Sequence, residues 1–258
     1  MSDVDPFVQE QVPSTSGYLY RPLRYRLRRY PIPELRLPDG HGKRFLDLGC
    51  NWGRWSIAAM KKGYVVAGID PHALAIQAAR RVAQQHGLEI NYQIAGGEAI
   101  PFPNATFDVV FSYSVLQHLT KERVNNTLVE IRRVLKPSGI AMVQMPNWLG
   151  VRSLYHQARR GFRRNLPYFA VDYWGIRELR DAFKRIGTVE LSVDGFFGLG
   201  IQPADVGMLP THLRPIVYAS EALRHFSLRF RPLLYVADSV YVTARKSANP
   251  ESAHPTAQ

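Results

Sequence analysis

Cysteine is almost missing from this chain of 258 residues, which has Cys50 alone. An intramolecular disulfide is therefore excluded, and a reducing compartment fits better than an oxidising one. Also missing are the roughly eighteen consecutive apolar residues that a spanning helix needs, and the opening Met-Ser-Asp-Val-Asp has no basic region followed by an apolar one. Neither a membrane span nor a secretory signal is indicated, so the expected location is cytoplasmic. Acids are scarce, 21 against 33 basic residues for a net charge of +12, and the excess is concentrated. Arg21, Arg24, Arg26, Arg28, Arg29, Arg36, Lys43 and Arg44 face only Glu34 and Asp39, and Arg152, Arg159, Arg160, Arg163 and Arg164 lie in an acid-free stretch. Such clusters suit an anionic partner or surface, and solvated faces suit them equally.

What is present is enough apolar residue, 46%, for one large α/β domain with a substantial core. The chain is organised around residues 45–55, Phe-Leu-Asp-Leu-Gly-Cys-Asn-Trp-Gly-Arg-Trp. Phe45, Leu46 and Leu48 suit a strand buried on both faces, residues 56–60 suit the helix that follows, and Gly49 suits a turn that a ligand can approach. Donors at the start of that helix have no partners within it and can face an anionic ligand. A dinucleotide fingerprint needs glycines at 49, 51 and 54; the chain has Gly49, Asn51 and Arg54, so that reading is weak.

A second buried strand over 64–69 closes on Asp70, 21 positions after Gly49, where an acid can hold both hydroxyls of a ribose or start the helix at Pro71. Residues 71–86 read as an amphipathic helix and 90–94 as a strand. Further strands are expected over 107–112, 140–145, 189–196 and 239–245, with helices over 121–135 and up to 186. Residues 1–17 read as a mobile leader, 18–42 as a basic, aromatic arm that caps a site or rests on an anionic surface, and 247–258 as a disordered tail.

The spacing Asp47-x-Gly49-x-x-x-Gly53 resembles motif I of the class I S-adenosylmethionine-dependent methyltransferases, with Asn51 where the family has a third glycine. Asn enters the left-handed region more readily than most residues. Three further segments resemble the same family in the same order: Asp70, the Pro-Phe turn leading to Phe-Asp-Val-Val at 107–110, and Arg-Val-Leu-Lys-Pro-Ser-Gly at 133–139. The resemblance runs from residue 43 to about 146. It implies a Rossmann-like, doubly wound, mostly parallel sheet of about seven strands with an antiparallel last strand. The domain would span 43–246, with lid insertions at 147–173 and 197–238.

The implied cofactor is S-adenosyl-L-methionine, held by Asp47, Gly49, Cys50, Asn51, Trp52, Gly53, Asp70, Pro71, Gly97, Glu98, Ser112, Tyr113 and Val115. Gly96 stands where many relatives have an acid for the adenine amino group, which shifts that role to the backbone near Gly97 and to Glu98. Trp52 suggests a cofactor resting against an indole.

Methyl transfer from a sulfonium mainly requires alignment and exclusion of water, but an oxygen acceptor also needs a base. His118, His156 and Asp172 are the candidate bases, with Tyr113 as an orienting hydroxyl; His118 could equally be a histidine packed beneath the cofactor. The expected acceptor is a small molecule, with an anionic sugar, a lipid-linked intermediate or a natural product as suitable classes. Peripheral contact with an anionic membrane surface fits the same composition. Two alternatives stay open. A nucleic-acid methyltransferase fits the charge, but Ser112-Tyr113-Ser114-Val115 replaces the Asn-Pro-Pro-Tyr type of motif. A noncatalytic scaffold fits the departures at Asn51 and Gly96.

Overall fold

The computed structural model describes residues 4–12, 27–159, 161–162, 171–200 and 202–248. Residues 1–3 and 13–17 of the expected leader, 18–26 of the arm, Arg160, Arg163 and Arg164 of the basic cluster and nearly all of the tail lie outside them. Among the described residues, seven strands form one sheet in the order β3-β2-β1-β4-β5-β7-β6. They are β1 (Arg44–Leu48), β2 (Val65–Asp70), β3 (Asn91–Ile94), β4 (Phe107–Tyr113), β5 (Leu135–Pro146), β6 (Gly187–Gly195) and β7 (Ser239–Lys246). The first five pair in parallel, and β7 runs antiparallel to β5 and β6. The strand order reverses between β1 and β4, so the ligand crevice of an open α/β sheet falls at their carboxyl ends.

Alternation along the strands loads both faces, as a parallel sheet requires. Leu46, Leu48, Val110 and Val143 pack under α4 (Lys121–Val134) and α6 (Ile176–Phe183). Phe45, Val66, Phe111 and Met142 pack under α2 (Arg54–Lys61). The helix α3 (Ala73–Gln85) follows β2 and buries Ile76, Ala79 and Val82. One boundary departs from expectation: β5 begins at Leu135 rather than 140. Residues 136–139 form an irregularity in its pairing with β4, with Ser138 at φ +62°.

The leader is a second departure. Residues 4–12 include α1 (Pro6–Gln9), and Val4, Val8 and Val12, spaced by four, are buried against Trp52, Ile57 and Val82. Asp5 caps Phe7 and pairs with Arg81. The described part of the arm is likewise packed down. Tyr30 donates to Gln85, Leu35 enters the core beneath α2, and Arg36 binds both Asp194 at the end of β6 and Glu221 on α7 (Arg214–Ser227). The arm is thus a strap across α2, α3 and α7.

The two insertions add α5 (Val151–Arg159), α7 and α8 (Leu233–Val236). Asp238, 4% exposed just before β7, joins them by accepting from the N–H groups of Arg152, Ser153 and Phe197. Removing Arg36 would leave Asp194 buried with one counter-charge fewer. The Arg36 side chain is 22% exposed, so Arg36→Ala should cost about 2 kcal/mol, below the roughly 3–5 of a fully buried pair. Thermal denaturation should show a Tm lower by roughly 4–8 °C, whereas Arg123→Ala, which breaks an exposed pair with Glu98, should change it by less than about 2 °C.

Candidate functional site

The corner after β1 is held by main-chain bonds. The N–H groups of Gly49 and Cys50 donate to Ile69 O at 2.8 and 3.0 Å, and that of Gly53 to Cys50 O at 2.8 Å. Gly49 sits at φ +76°, and a β-carbon there would lie 2.3 Å from Cγ2 of Val115, so the close approach requires glycine. Asn51 takes φ +45°, the left-handed conformation expected of it, and its Oδ1 accepts from Trp52 N at 2.7 Å. With these donors engaged inside the protein, and Ser56 N given to Asp47, the first-turn N–H groups of Arg54 and Trp55 are the helix-start donors that have no partner within α2 itself.

Asp70 bridges two elements: Oδ2 accepts from Asn51 N at 3.0 Å and Oδ1 from His72 N at 2.9 Å. Burial raises its pKa, opposed by those two bonds. Pro71 is exposed, and the N-cap position of α3 is His72, whose side chain makes no capping bond, rather than Asp70. Asp47 lies behind the turn, 1% exposed, accepting from Ser56 Oγ at 2.6 Å and from the Ser56 backbone. Its role is to hold the start of α2. Desolvation pushes its pKa up to about 7.

Several expected contacts are arranged differently. The Trp52 indole is 1% exposed, 5.7 Å from the Tyr30 ring, and enclosed by Val4, Val8 and Leu199. Its surroundings are the leader and the strap, not an open ligand surface, because the valines of the leader reach it. Cys50 packs against Ile76, Ala79 and Tyr92, and burial raises its thiol pKa, so it offers the corner its main chain. Ser112 is fully buried and donates to Leu48 O at 2.9 Å. Glu98 pairs with Arg123 at 2.7 Å. Gly97 is backed by Thr127, whereas a β-carbon at Gly96 would meet no atom within 4 Å, leaving open space beyond β3.

Tyr113 packs against Trp55 with the rings tilted by 38° and lies beneath the Arg54 guanidinium, and its hydroxyl donates to Asp194 at 3.2 Å. Burial and the Asp194 charge raise its pKa. The expected orienting hydroxyl is therefore engaged in the strap network. His118 ends a 3-10 turn, with Nε2 3.2 Å from Gln117 Nε2, and Asp172 N donates to Gln117 O at 2.8 Å. The structure thus brings the segments of His118 and Asp172 side by side. His156 accepts from Arg152 Nε at 3.1 Å, and Arg152 also reaches Phe197 O, so this histidine belongs to the junction of the two insertions.

Residues that the sequence reading did not single out include Asp194 and Asp238, whose segments match no motif. Others are Arg54, hidden as an ordinary helix residue, and Gln144, which accepts from both Ser114 N and Ser114 Oγ. An open groove of about 800 Å³ lined by Val65, Arg80, Leu88 and Asn91 lies at the amino ends of β2 and β3, the wrong edge for this crevice.

Residues 45–139 match the family described as "Methyltransferase domain". A ubiquinone biosynthesis O-methyltransferase of Azoarcus sp. is 34% identical over 117 residues, 43% of this chain and 49% of the relative. The counterpart of that name in Roseobacter denitrificans is 33% identical over 106 residues, 41% and 42% of the two chains. The matches therefore span about half the length of these curated relatives or less. Among solved structures, a SAM-dependent methyltransferase from Methanosarcina mazei has a TM-score of 0.58 at 15% identity, covering 84% of this chain and all of that one. One from Mesorhizobium loti has a TM-score of 0.55 at 17% identity, covering 81% and 94%. These two share the fold.

The Asp47 pKa, raised from 3.8 to about 7, means that the folded chain binds more protons than the unfolded one between those values, so this group's contribution falls as pH rises through that window. Denaturant titrations should therefore find the stability of the native chain relative to Asp47→Asn declining from about pH 4 to 7 and level above. Asn51→Gly keeps a left-handed turn and the main-chain bond to Asp70. Calorimetry with S-adenosylmethionine should show less than about a tenfold affinity change, ~1.4 kcal/mol.

Proposed function

We propose that this chain, whose residues 45–139 match the family described as "Methyltransferase domain", moves a methyl group from S-adenosylmethionine to an oxygen of a small-molecule acceptor. The observation that carries the reading is Asp70 at the end of β2, fixed by Asn51 N and His72 N beside the left-handed turn. A carboxylate has about four acceptor positions; two are in use here, which leaves capacity for both ribose hydroxyls. The free volume at Gly96 accommodates the adenine side. The residues fit the cofactor.

When bound, the cofactor supplies an electrophilic methyl group. This chain's residues do the rest. Asp70 and the corner fix the ribose edge, the start of α2 faces the carboxylate end, and the segments of His118 and Asp172 border the methyl side. Oxygen is the favoured atom because relatives at about a third identity carry the name O-methyltransferase. His118 is then assigned as the base that takes the acceptor's proton, since neutral imidazole titrates near working pH. The nucleic-acid reading loses support because Arg36, Arg123 and Arg133 are held in ion pairs with the chain's own acids.

Incubation with methyl-labelled cofactor and pools of phenolic, carboxylated and sugar acceptors, followed by mass spectrometry, should find label on a small-molecule oxygen. Label only in RNA would overturn the proposal. His118→Gln should lower kcat by about 10²–10⁴ with cofactor affinity kept; a kcat within about threefold of the native value would remove His118 from the role.

A further inference from the structure

The helix α7 packs Val217 and Leu223 inward but turns further apolar side chains outward. It buries Val217, Ser220 and Ser227, two of them serines, while Ile216, Tyr218, Ala219, Ala222 and Phe226 are exposed. The exposed surface continues past its end: Leu228 is 64% exposed, and Phe230, Tyr235 and Val236 are exposed as well. Phe226 and Phe230 stack on each other at 5.8 Å. The other insertion adjoins this surface, because the Asn147 side chain donates to Tyr235 O and Ala237 O at 2.8 and 2.9 Å. Next to that contact lie exposed Leu149, Val151 and Tyr155 around α5. Scattered apolar residues on a surface need no explanation, but two adjoining insertions that both turn theirs outward do.

The charges indicate what covers this surface. Arg229 and Arg231 are exposed between the aromatic residues, and Arg159 is exposed at the end of α5. Between residues 214 and 236 the only acid is Glu221, and it is bridged to Arg36 and Arg224. Between 148 and 162 there is no acid. Aromatic and aliphatic side chains interleaved with arginines, without free acids, complement a bilayer interface with anionic headgroups: the rings enter the headgroup boundary and the guanidinium groups stay with the phosphates. No described helix is long and apolar enough to cross a membrane, so the contact is peripheral.

We infer that the surface formed by α7, the segment 228–236 and the start of α5 docks this chain on the face of an anionic bilayer. This deepens the proposed function by giving its acceptor a place, a small molecule drawn from or returned to the lipid phase, and it rests on that reading only for the acceptor.

The test is co-sedimentation of the full chain with phosphatidylcholine vesicles, with and without about a third phosphatidylglycerol. The expected result is binding to the anionic vesicles at least about tenfold stronger than to the zwitterionic ones, weakening as salt rises. Leu228→Ser with Phe230→Ser should reduce it by about tenfold or more, and Arg229→Gln with Arg231→Gln should remove the preference for anionic lipid. All four side chains are exposed, so thermal denaturation should show both variants folded.

No binding to anionic vesicles, or binding that the serine variant leaves unchanged, overturns the inference. So does a native dimer in analytical ultracentrifugation that the serine variant dissolves, which would assign the surface to a second copy. Cofactor affinity measured on the same samples separates this outcome from failure of the proposed function, since neither variant touches the corner.

Discussion

The candidate site depends on one buried carboxylate. Asp70 sits at the last position of β2, where the main chain of the turn after β1 and the start of α3 converge, and it accepts one N–H from each. Hydrogen bonds to a charged group contribute roughly 1.5–3 kcal/mol each, enough to offset much of the desolvation that raises its pKa. Because Gly49 and Cys50 donate to Ile69, the neighbour of Asp70 in β2, the corner moves as one piece with the strand. Rigidity of this kind suits a reaction in which the protein mainly aligns three atoms.

A second set of buried acids organises everything outside that corner. Asp194 gathers Arg36, Tyr113 and Ser239, and Asp238 gathers the backbone of both insertions. Together they fasten the strap, the far edge of the sheet and the insertions around the carboxyl ends of β4 and β5. The strap holds these elements from the α2 side and leaves α7 facing outward. The basic excess read from composition is thus divided: part is neutralised within this network, and part, at Arg159, Arg229 and Arg231, stays on the surface.

The alternation of Phe45, Leu46 and Leu48, the glycine turn and the acid at 70 made the parallel half of the sheet legible, because each follows from local chemistry. Asn51 was legible for the same reason, and its φ of +45° agrees. The positive φ of Ser138, +62°, was not legible, because serine carries no local signal for that conformation. The packing of residues 4–12 was not legible because three valines four residues apart are too few to stand out, and their partners, Trp52 and Val82, are far along the chain. Nor was the bond from Tyr113 to Asp194, 81 residues away, because such a pairing is decided by tertiary packing and matches no motif.

Whether the Asp70 corner holds S-adenosylmethionine is decided by calorimetric titration of the native chain and of Asp70→Ala with the cofactor. One site per native chain is expected, with an affinity at least about tenfold lower in the variant, ~1.4 kcal/mol or more. No binding by the native chain, or equal affinity in both, would contradict that role.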